Sequence, residues 1–315
     1  MRDCLTLARN GEPGFFYADS FHAGKKSMQG QLVNVMTADR VRLDGFYVAA
    51  EKSVDGSIDA AVITHGLSGN FYGSRLLKHI AEHLSQKGIS SVLINTRGHD
   101  YLNATVRSGR SQTLGAAFER IDECPCDLNA WVDFLVDRGH QNIILAGHSL
   151  GAIKSLYAQA HTPHPSVVGV CGLSATRLSY DGLLASSGGE QFSKWLRIAQ
   201  EWVAEQRSDD LLFVDFPFPT WMSAGAYLEK YGAGDRFNWL NFADQILVPT
   251  WLGFGELELN ENPAFAGLDE ELEQIANRSS HFTIDTIAGA DHFYSARYEA
   301  ATTAVSRWID RLSVG

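Results

Sequence analysis

The chain has 315 residues, of which 45% are hydrophobic, and its formal net charge is −11 at pH 7. A chain of this length and composition can form one large core domain that carries an insertion. The acidic balance argues against nucleic acid and anionic membranes as principal partners, because both attract basic surfaces, and it favours a small-molecule substrate.

The N-terminal part of the sequence predicts an antiparallel hairpin, because the apolar runs 32–35 and 41–48 are separated by the turn residues Thr37-Ala38-Asp39. Strands and helices alternate after it. The predicted strands are 58–64, 89–95, 142–146, 167–173, 246–255 and 282–287, and the predicted helices are 74–86, 114–136 with an interruption at Cys124-Pro125-Cys126, and 152–157. Repeated β-α-β units of this kind predict an α/β fold with a mostly parallel sheet and helices on both faces.

The alternation of strands and helices breaks off between residues 176 and 245. We interpret this segment as a helical cap inserted into a core domain formed by residues 1–175 and 246–315. Two cap helices are predicted from apolar residues at helical spacing, one over 192–203 and the other after Pro219.

Aromatic side chains are dense in the second half of this cap, between Phe213 and Trp239. They fit two functions equally well. They could line an apolar pocket, in which Trp221 and Tyr227 would contact an apolar or aromatic part of a substrate. They could instead anchor the cap to the core by burying one face of its helices.

The pentapeptide Gly147-His148-Ser149-Leu150-Gly151 lies between a predicted buried strand and a predicted helix. A G-x-S-x-G turn in that place is typical of a nucleophile elbow, in which the serine has a strained backbone and the glycines avoid collisions with neighbouring elements. The hydroxyl is then exposed above the sheet edge, at a helix N-terminus that stabilises negative charge. Ser149 is therefore the candidate nucleophile, and we expect His148 to be a packing residue.

Two later strands are followed by Glu256-Leu257-Glu258 and by Asp291-His292. With these motifs the chain resembles the α/β-hydrolase family from about residue 30 onward. In that family the nucleophile, the acid and the histidine occur in this order, which implies Ser149, Glu258 and His292 as a catalytic triad. The resemblance thus implies an α/β-hydrolase fold and hydrolase activity.

The family pattern before the acid is a proline, a glycine six residues later and the acid three residues after that glycine. Pro249, Gly255 and Glu258 keep this spacing, which favours Glu258 over Glu256. Glutamate here replaces the commoner aspartate, and which of the two glutamates reaches His292 is left open at this point.

The resemblance also implies an oxyanion hole. His65-Gly66-Leu67 is similar to the family's H-G-x turn, so the expected donors are the backbone N–H groups of Leu67 and Leu150. His65 is then a structural hydrogen-bonding residue of the turn rather than a catalytic base.

The loop 95–100 is similar to the family's D-x-R-G-x-G loop, but Asn95 and Asp100 replace its aspartate and its final glycine. This departure predicts an altered loop near the pocket. We expect Arg97 to be structural, whereas His99 and Asp100 are candidates for substrate contact.

These residues predict a serine hydrolase that cleaves a small carboxylic ester through an acyl-enzyme, with His292 as general base and Glu258 holding the imidazole. The same triad serves thioesters, lactones, amides, carbon–carbon bonds of diketones and acyl transfer, and the fold also supports peroxidase and lyase chemistry. A non-catalytic ligand-binding homologue is the alternative from another class, and an intact Ser-Glu-His set argues against it.

The cysteines are too few and too scattered for a disulfide framework, namely Cys4, Cys124, Cys126 and Cys171. No second cysteine pair or spaced histidines complete a metal site with Cys124-Pro125-Cys126, so we expect neither metal nor cofactor. The segment 1–9 lacks the apolar stretch of a signal peptide, and no run of about 18 apolar residues occurs. We therefore expect a soluble, cytoplasmic protein without membrane insertion.

Overall fold

The computed structural model describes residues 28–52, 57–107, 110–261, 265 and 268–312. The N-terminal segment 1–9 that lacks a signal-peptide pattern, and Cys4 within it, lie outside these residues. Within the described ranges, none of the helices is long and apolar enough to cross a lipid bilayer.

Most strands of the molecule belong to one mixed sheet. The strands are β1 (Gln31–Met36), β2 (Arg42–Val48), β3 (Ala60–Thr64), β4 (Ser90–Ile94), β5 (Asn103–Arg107), β6 (Arg110–Leu114), β7 (Ile143–His148), β8 (Val167–Leu173), β9 (Leu211–Val214), β10 (Thr220–Ser223), β11 (Thr250–Gly255) and β12 (Phe282–Ile287). The central sheet has the spatial order β1-β2-β4-β3-β7-β8-β11-β12. β2 is antiparallel to both β1 and β4, and the other neighbours are parallel. The predicted mostly parallel sheet with an N-terminal antiparallel hairpin is confirmed.

Helices cover both faces of this sheet. They are α1 (Arg75–Gln86), α2 (Cys124–Val136), α3 (Leu150–His161), α4 (Tyr180–Ala185), α5 (Gly189–Ala204), α6 (Ala224–Tyr231), α7 (Glu256–Glu261), α8 (Leu268–Arg278) and α9 (Tyr298–Leu312). Side chains alternate along β3, so that Ala61 and Ile63 pack with α1 and α9, whereas Ala60 and Val62 pack with α2. The predicted α/β architecture is confirmed.

The helix predicted over 114–136 is shorter than the sequence pattern suggests, because it begins only at Cys124. Leu114 instead ends β6, which pairs with β5 in a separate two-stranded sheet. Gly115 then takes φ 108°, and the N–H groups of residues 115–117 donate to backbone carbonyls of the loop 97–101. These hydrogen bonds to a neighbouring loop replace those that a helix would make.

The segment 176–245 stands between β8 and β11 and holds α4, α5 and α6, whose apolar residues form a core with β9 and β10. The segment is not purely helical as predicted, since β9 and β10 are an antiparallel pair within it. Residues 220–223, expected to open a helix, form β10, and α6 begins at Ala224. Pairing with β9 stabilises residues 220–223 as a strand, and the spacing of apolar residues along the sequence does not reveal that pairing.

Candidate active site

Ser149 lies in the turn between β7 and α3, and its backbone is strained. Its φ is 55° and its ψ is −123°, a combination that side-chain-bearing residues rarely adopt. The two glycines are required by close approach of the backbone. A Cβ added at Gly147 would lie 2.3 Å from the carbonyl carbon of Gly151, and one added at Gly151 would lie 2.4 Å from the carbonyl oxygen of His65. The turn therefore has the backbone geometry expected of an elbow.

Ser149, His292 and Glu258 follow β7, β12 and β11, and they meet at the carboxyl edge of the sheet. The Ser149 Oγ lies 3.1 Å from His292 Nε2, although the two residues are 143 positions apart in the chain. His292 Nδ1 lies 2.7 Å from Glu258 Oε2. An imidazole placed in this way can take the hydroxyl proton on one nitrogen while the carboxylate accepts a hydrogen bond from the other.

The structure separates the two candidate glutamates. Glu258 is buried, and its Oε1 accepts hydrogen bonds from Gly255 N and from Ser174 Oγ, each at 2.6 Å. Glu256 is exposed, and its carboxylate accepts a hydrogen bond from Gly289 N at 2.7 Å. Of these two glutamates, Glu258 is therefore the one in contact with the His292 imidazole.

Ser174 was not singled out by the sequence motifs, although its position directly after β8 is a signal that could have found it. Its hydroxyl donates to Glu258, and its oxygen lies 3.0 Å from the Tyr294 hydroxyl, which in turn donates to Gly253 O at 2.8 Å. Ser174 itself has φ 52°, and its N–H donates to the same Gly253 carbonyl. These contacts hold the Glu258 carboxylate in a single orientation.

His148 does more than pack. Its Nε2–H donates to the backbone carbonyl of His292 at 2.7 Å, so it ties the elbow to the loop that carries the imidazole. Burial, and the neighbouring His292, lower the pKa of His148 to about 3, so the ring stays neutral at physiological pH.

The segment His65–Leu67, which we call the oxyanion turn, lies against the nucleophile. A Cβ added at Gly66 would be 3.2 Å from the Ser149 Cβ. Among the backbone hydrogen bonds of the described residues outside helices and strands, neither the Leu67 N–H nor the Leu150 N–H is a donor. Their part as donors to an oxyanion stays a prediction.

The loop after β4 has a structural residue, Arg97, and a residue that lines a cavity, His99. Arg97 is buried and forms ion pairs with three acids, namely Asp39 in the turn between β1 and β2 and Glu123 and Asp127 at the start of α2. His99 contacts the Asp100 carboxylate at 2.8 Å and lines a cavity of about 620 Å³ together with residues of β1, β2, β5 and β6. The described residues that line this cavity do not include Ser149, His292 or Glu258, and the contact of His99 with a substrate stays a prediction.

The two aromatic residues predicted to contact substrate occupy different surroundings. Tyr227 is fully buried in the cap core, and its hydroxyl donates to Phe216 O at 3.1 Å. This burial favours the alternative that Tyr227 packs within the segment 176–245 over a place in a pocket wall. Trp221 is 52% exposed and lies beside the exposed Phe213, with 5.3 Å between the ring centroids.

The described cysteines are free thiols, with Cys124 and Cys171 buried and Cys126 partly buried. Burial raises the pKa of the two buried thiols, which keeps them protonated and poorly nucleophilic. Among the residues that the structure describes, no group of three or more His, Cys, Asp or Glu side chains is placed to hold a metal ion.

The sequence matches the family model described as "Alpha/beta hydrolase family" over residues 61–305. Among solved structures, it is similar to the alpha/beta hydrolase GrgF from Penicillium sp. sh18, with a TM-score of 0.66 at 16% identity, covering 91% of this chain and 100% of that one. Est1E from Butyrivibrio proteoclasticus has a TM-score of 0.60 at 15% identity, covering 91% and 100% of the two chains. A Pyrococcus furiosus esterase has a TM-score of 0.58 at 16% identity, covering 91% and 92%. No curated protein matches the sequence significantly.

Proposed function

The chain belongs to the alpha/beta hydrolase family, and we propose that it is a serine hydrolase that cleaves a small carboxylic ester through Ser149, His292 and Glu258. The observation that carries this proposal is the continuous contact from the Ser149 Oγ to His292 Nε2 at 3.1 Å and from His292 Nδ1 to Glu258 Oε2 at 2.7 Å. The backbone N–H groups of Leu67 and Leu150 and the strained turn at Ser149 support the same chemistry.

The reaction proceeds in two half-reactions. His292 takes the Ser149 proton as the Oγ attacks the ester carbonyl carbon, and the carbonyl oxygen becomes an oxyanion held by the N–H groups of Leu67 and Leu150. The protonated imidazole then gives its proton to the departing alkoxide, which leaves an acyl-enzyme. Water, deprotonated by His292, attacks the acyl carbon, and the carboxylic acid leaves with Ser149 restored.

An ester with an apolar or aromatic part fits the surface next to the triad. Phe293 directly follows His292, is 66% exposed, and lies with its ring centroid 5.2 Å from the imidazole centroid. Its backbone N–H donates to Asp291 Oδ1 at 3.0 Å, which holds the backbone from which the ring projects. Est1E was solved with ferulic acid bound, and an aromatic carboxylic ester is accordingly a suitable first substrate to test here.

A fluorophosphonate probe tests whether the serine is activated. We expect the probe to label the intact protein at Ser149, because only a hydroxyl whose proton is taken by a neighbouring base attacks phosphorus rapidly. Peptide mass spectrometry identifies the labelled residue. Labelling should disappear in Ser149→Ala and should be strongly reduced in His292→Ala. An unlabelled native protein would favour the non-catalytic ligand-binding alternative.

A pair of cap variants tests whether Trp221 contacts the substrate. We expect Trp221→Ala to raise KM for an ester with a bulky aromatic group, with little effect on KM for an acetyl ester, because only the bulky group would lose apolar contact, worth about 25 cal/mol per Å². Its melting temperature should change little, since the side chain is half exposed.

Tyr227→Ala is the matched control. It should lower the free energy of unfolding of the cap by about 3–5 kcal/mol, as expected for the loss of a large buried ring, and should affect both esters alike. Equal KM changes for the two esters in Trp221→Ala would show that this tryptophan does not contact the substrate.

A further inference from the structure

A line of hydrogen bonds joins the interior of the core to the oxyanion turn. It starts at Lys154, five residues after Ser149 on α3, whose side chain is fully buried. The Lys154 Nζ donates to Thr96 Oγ1 at 3.0 Å. The backbone N–H of Thr96 donates to His65 Nε2 at 3.2 Å, and the Thr96 Oγ1 lies 3.4 Å from the same nitrogen. His65 Nδ1 lies 2.7 Å from the carbonyl oxygen of Gly66.

The donors and acceptors along this line can be assigned from their chemistry. An ammonium group can only donate, so Thr96 Oγ1 accepts from Lys154, and its own hydrogen shares the single lone pair of His65 Nε2 with the Thr96 backbone N–H. Burial, and then the charge of Lys154, lower the pKa of His65 to about 3. The imidazole is therefore neutral, accepting on Nε2 and donating from Nδ1 to the Gly66 carbonyl.

The hydrogen bond from His65 Nδ1 to the Gly66 carbonyl also affects the orientation of the next N–H group. The Gly66 carbonyl and the Leu67 N–H belong to one peptide unit, which is planar and trans, so that holding the carbonyl also sets the direction of the N–H. That N–H is one of the two donors proposed for the oxyanion. A small rotation of this peptide would weaken a hydrogen bond that must form in the transition state.

The charge of Lys154 is balanced inside the protein by Glu119. The Lys154 Nζ forms an ion pair with Glu119 Oε1, and both side chains are buried. Burial alone would raise the pKa of Glu119, but the ammonium groups of Lys154 and Lys230 outweigh it, so the pKa lies below its ordinary value. The carboxylate occupies the space beside Gly98, where an added Cβ would lie 1.9 Å from Oε1.

Stability alone is a weak reason to bury such a pair. Removing two charges from water costs several kcal/mol for each ion, and well-packed apolar residues often stabilise a protein as much or more. The cluster also holds polar atoms without a hydrogen-bond partner among the described residues, namely Glu119 Oε2 and the Nζ of Lys230 from cap helix α6. An arrangement this costly, directly linked to the oxyanion turn, indicates a part in the reaction.

We propose that Lys154 is a positioning residue, which Glu119 holds in place and which orients the Leu67 N–H toward the oxyanion through Thr96 and His65. The inference rests on the proposed function, because it concerns the transition state of that reaction. Lys154 does not touch the substrate; it acts through the turn.

Three variants separate positioning from plain stability. Lys154→Met should lower both kcat and the melting temperature, because it breaks the line and leaves Glu119 unpaired. Lys154→Met/Glu119→Gln removes both charges, so it should recover much of the melting temperature while kcat stays about tenfold to a hundredfold below the native value. Thr96→Val keeps the ion pair and the backbone N–H bond to His65 Nε2 but removes the hydroxyl that links Lys154 to His65, and it should lower kcat to a similar extent at a nearly native melting temperature.

The decisive readout is the response of two inhibitors. An arylboronic acid, which adds to the serine and places an oxygen in the oxyanion hole, should lose affinity in the double variant and in Thr96→Val by the same factor as kcat/KM. The alcohol product, which is uncharged and forms no adduct with Ser149, should bind as in the native enzyme, and KM for the ester should stay within about twofold. Leu135→Ala, buried on α2, is the control that should lower the melting temperature without changing kcat.

A double variant and a Thr96→Val variant that both turn over at the native rate, with unchanged boronic acid affinity, would overturn the inference and leave the hydrolase proposal intact. Equal losses of affinity for the boronic acid and for the alcohol product would overturn it as well, because they would indicate a general disturbance of the site. If the native protein neither cleaves an ester nor reacts with the fluorophosphonate, the proposed function fails, and the inference fails with it.

Discussion

Replacing Ser149 with alanine should abolish hydrolysis of a short-chain aryl ester and leave the melting temperature nearly unchanged. The loss should be on the order of 10⁶ in kcat, the scale observed when the nucleophile of another serine hydrolase is removed. Stability should persist because serine and alanine tolerate the φ of 55° about equally, so the substitution introduces no new backbone strain. Initial rates and a thermal melt on the same preparation measure both effects.

A second serine provides the control for this experiment. The Ser193 hydroxyl donates to the Gly189 carbonyl on cap helix α5 and lies in the inserted segment. Ser193→Ala removes one hydroxyl, as Ser149→Ala does, and should retain the native rate. Turnover by purified Ser149→Ala at more than a trace of the native rate would contradict the mechanism, provided that its mass confirms the substitution.

The elbow was predictable from sequence because its determinants are local. A buried strand, a helix and two glycines occur within a short stretch, and the collision that excludes a side chain at Gly147 arises within the turn itself, whereas the one at Gly151 is with the end of β3. The spacing of Pro249, Gly255 and Glu258 was informative for the same reason. It places the glutamate one turn beyond the strand end, where Gly255 N can reach its carboxylate.

The buried charges could not be predicted in this way. A lysine on a helix is usually solvent-exposed, and Lys154 gives no local sign of its burial. Its partner Glu119 stands on a loop before α2, and the two meet only when α3 packs on the sheet. Ser174 is hidden for a similar reason, since its bond to Glu258 joins residues 84 positions apart.

The aromatic residues of the segment 176–245 show a third limit of prediction from sequence. Tyr227 has the spacing of a helical residue whether it faces a pocket or the cap interior, so periodicity could not distinguish the two functions. The strand β10 was predicted as part of a helix for a similar reason, because its strand conformation depends on pairing with β9, which the spacing of apolar residues does not reveal. Sequence patterns therefore showed where the alternation of strands and helices breaks off without revealing which side the aromatic residues of that segment face.

The expected effect of Glu258→Gln follows from the hydrogen bonds around this carboxylate. Because Gly255 N and Ser174 Oγ both donate to Oε1, the amide oxygen of a glutamine should take that place, and its NH₂ group should replace Oε2 beside His292 Nδ1. The imidazole must then accept on Nδ1 and carry its proton on Nε2. In this tautomer it cannot take the Ser149 proton, so kcat should fall by about 10⁴ while the fold is retained.

Glu256→Gln is the matched control, since it makes the same chemical change two residues away. Its carboxylate is exposed and accepts a hydrogen bond from Gly289 N, which an amide oxygen can also accept, so kcat should stay within about twofold of the native value. Steady-state kinetics on both variants, with a thermal melt to verify folding, decides between the carboxylates. A larger loss in Glu256→Gln than in Glu258→Gln would mean that the contact of Glu258 with His292 is not the one that operates in the reaction.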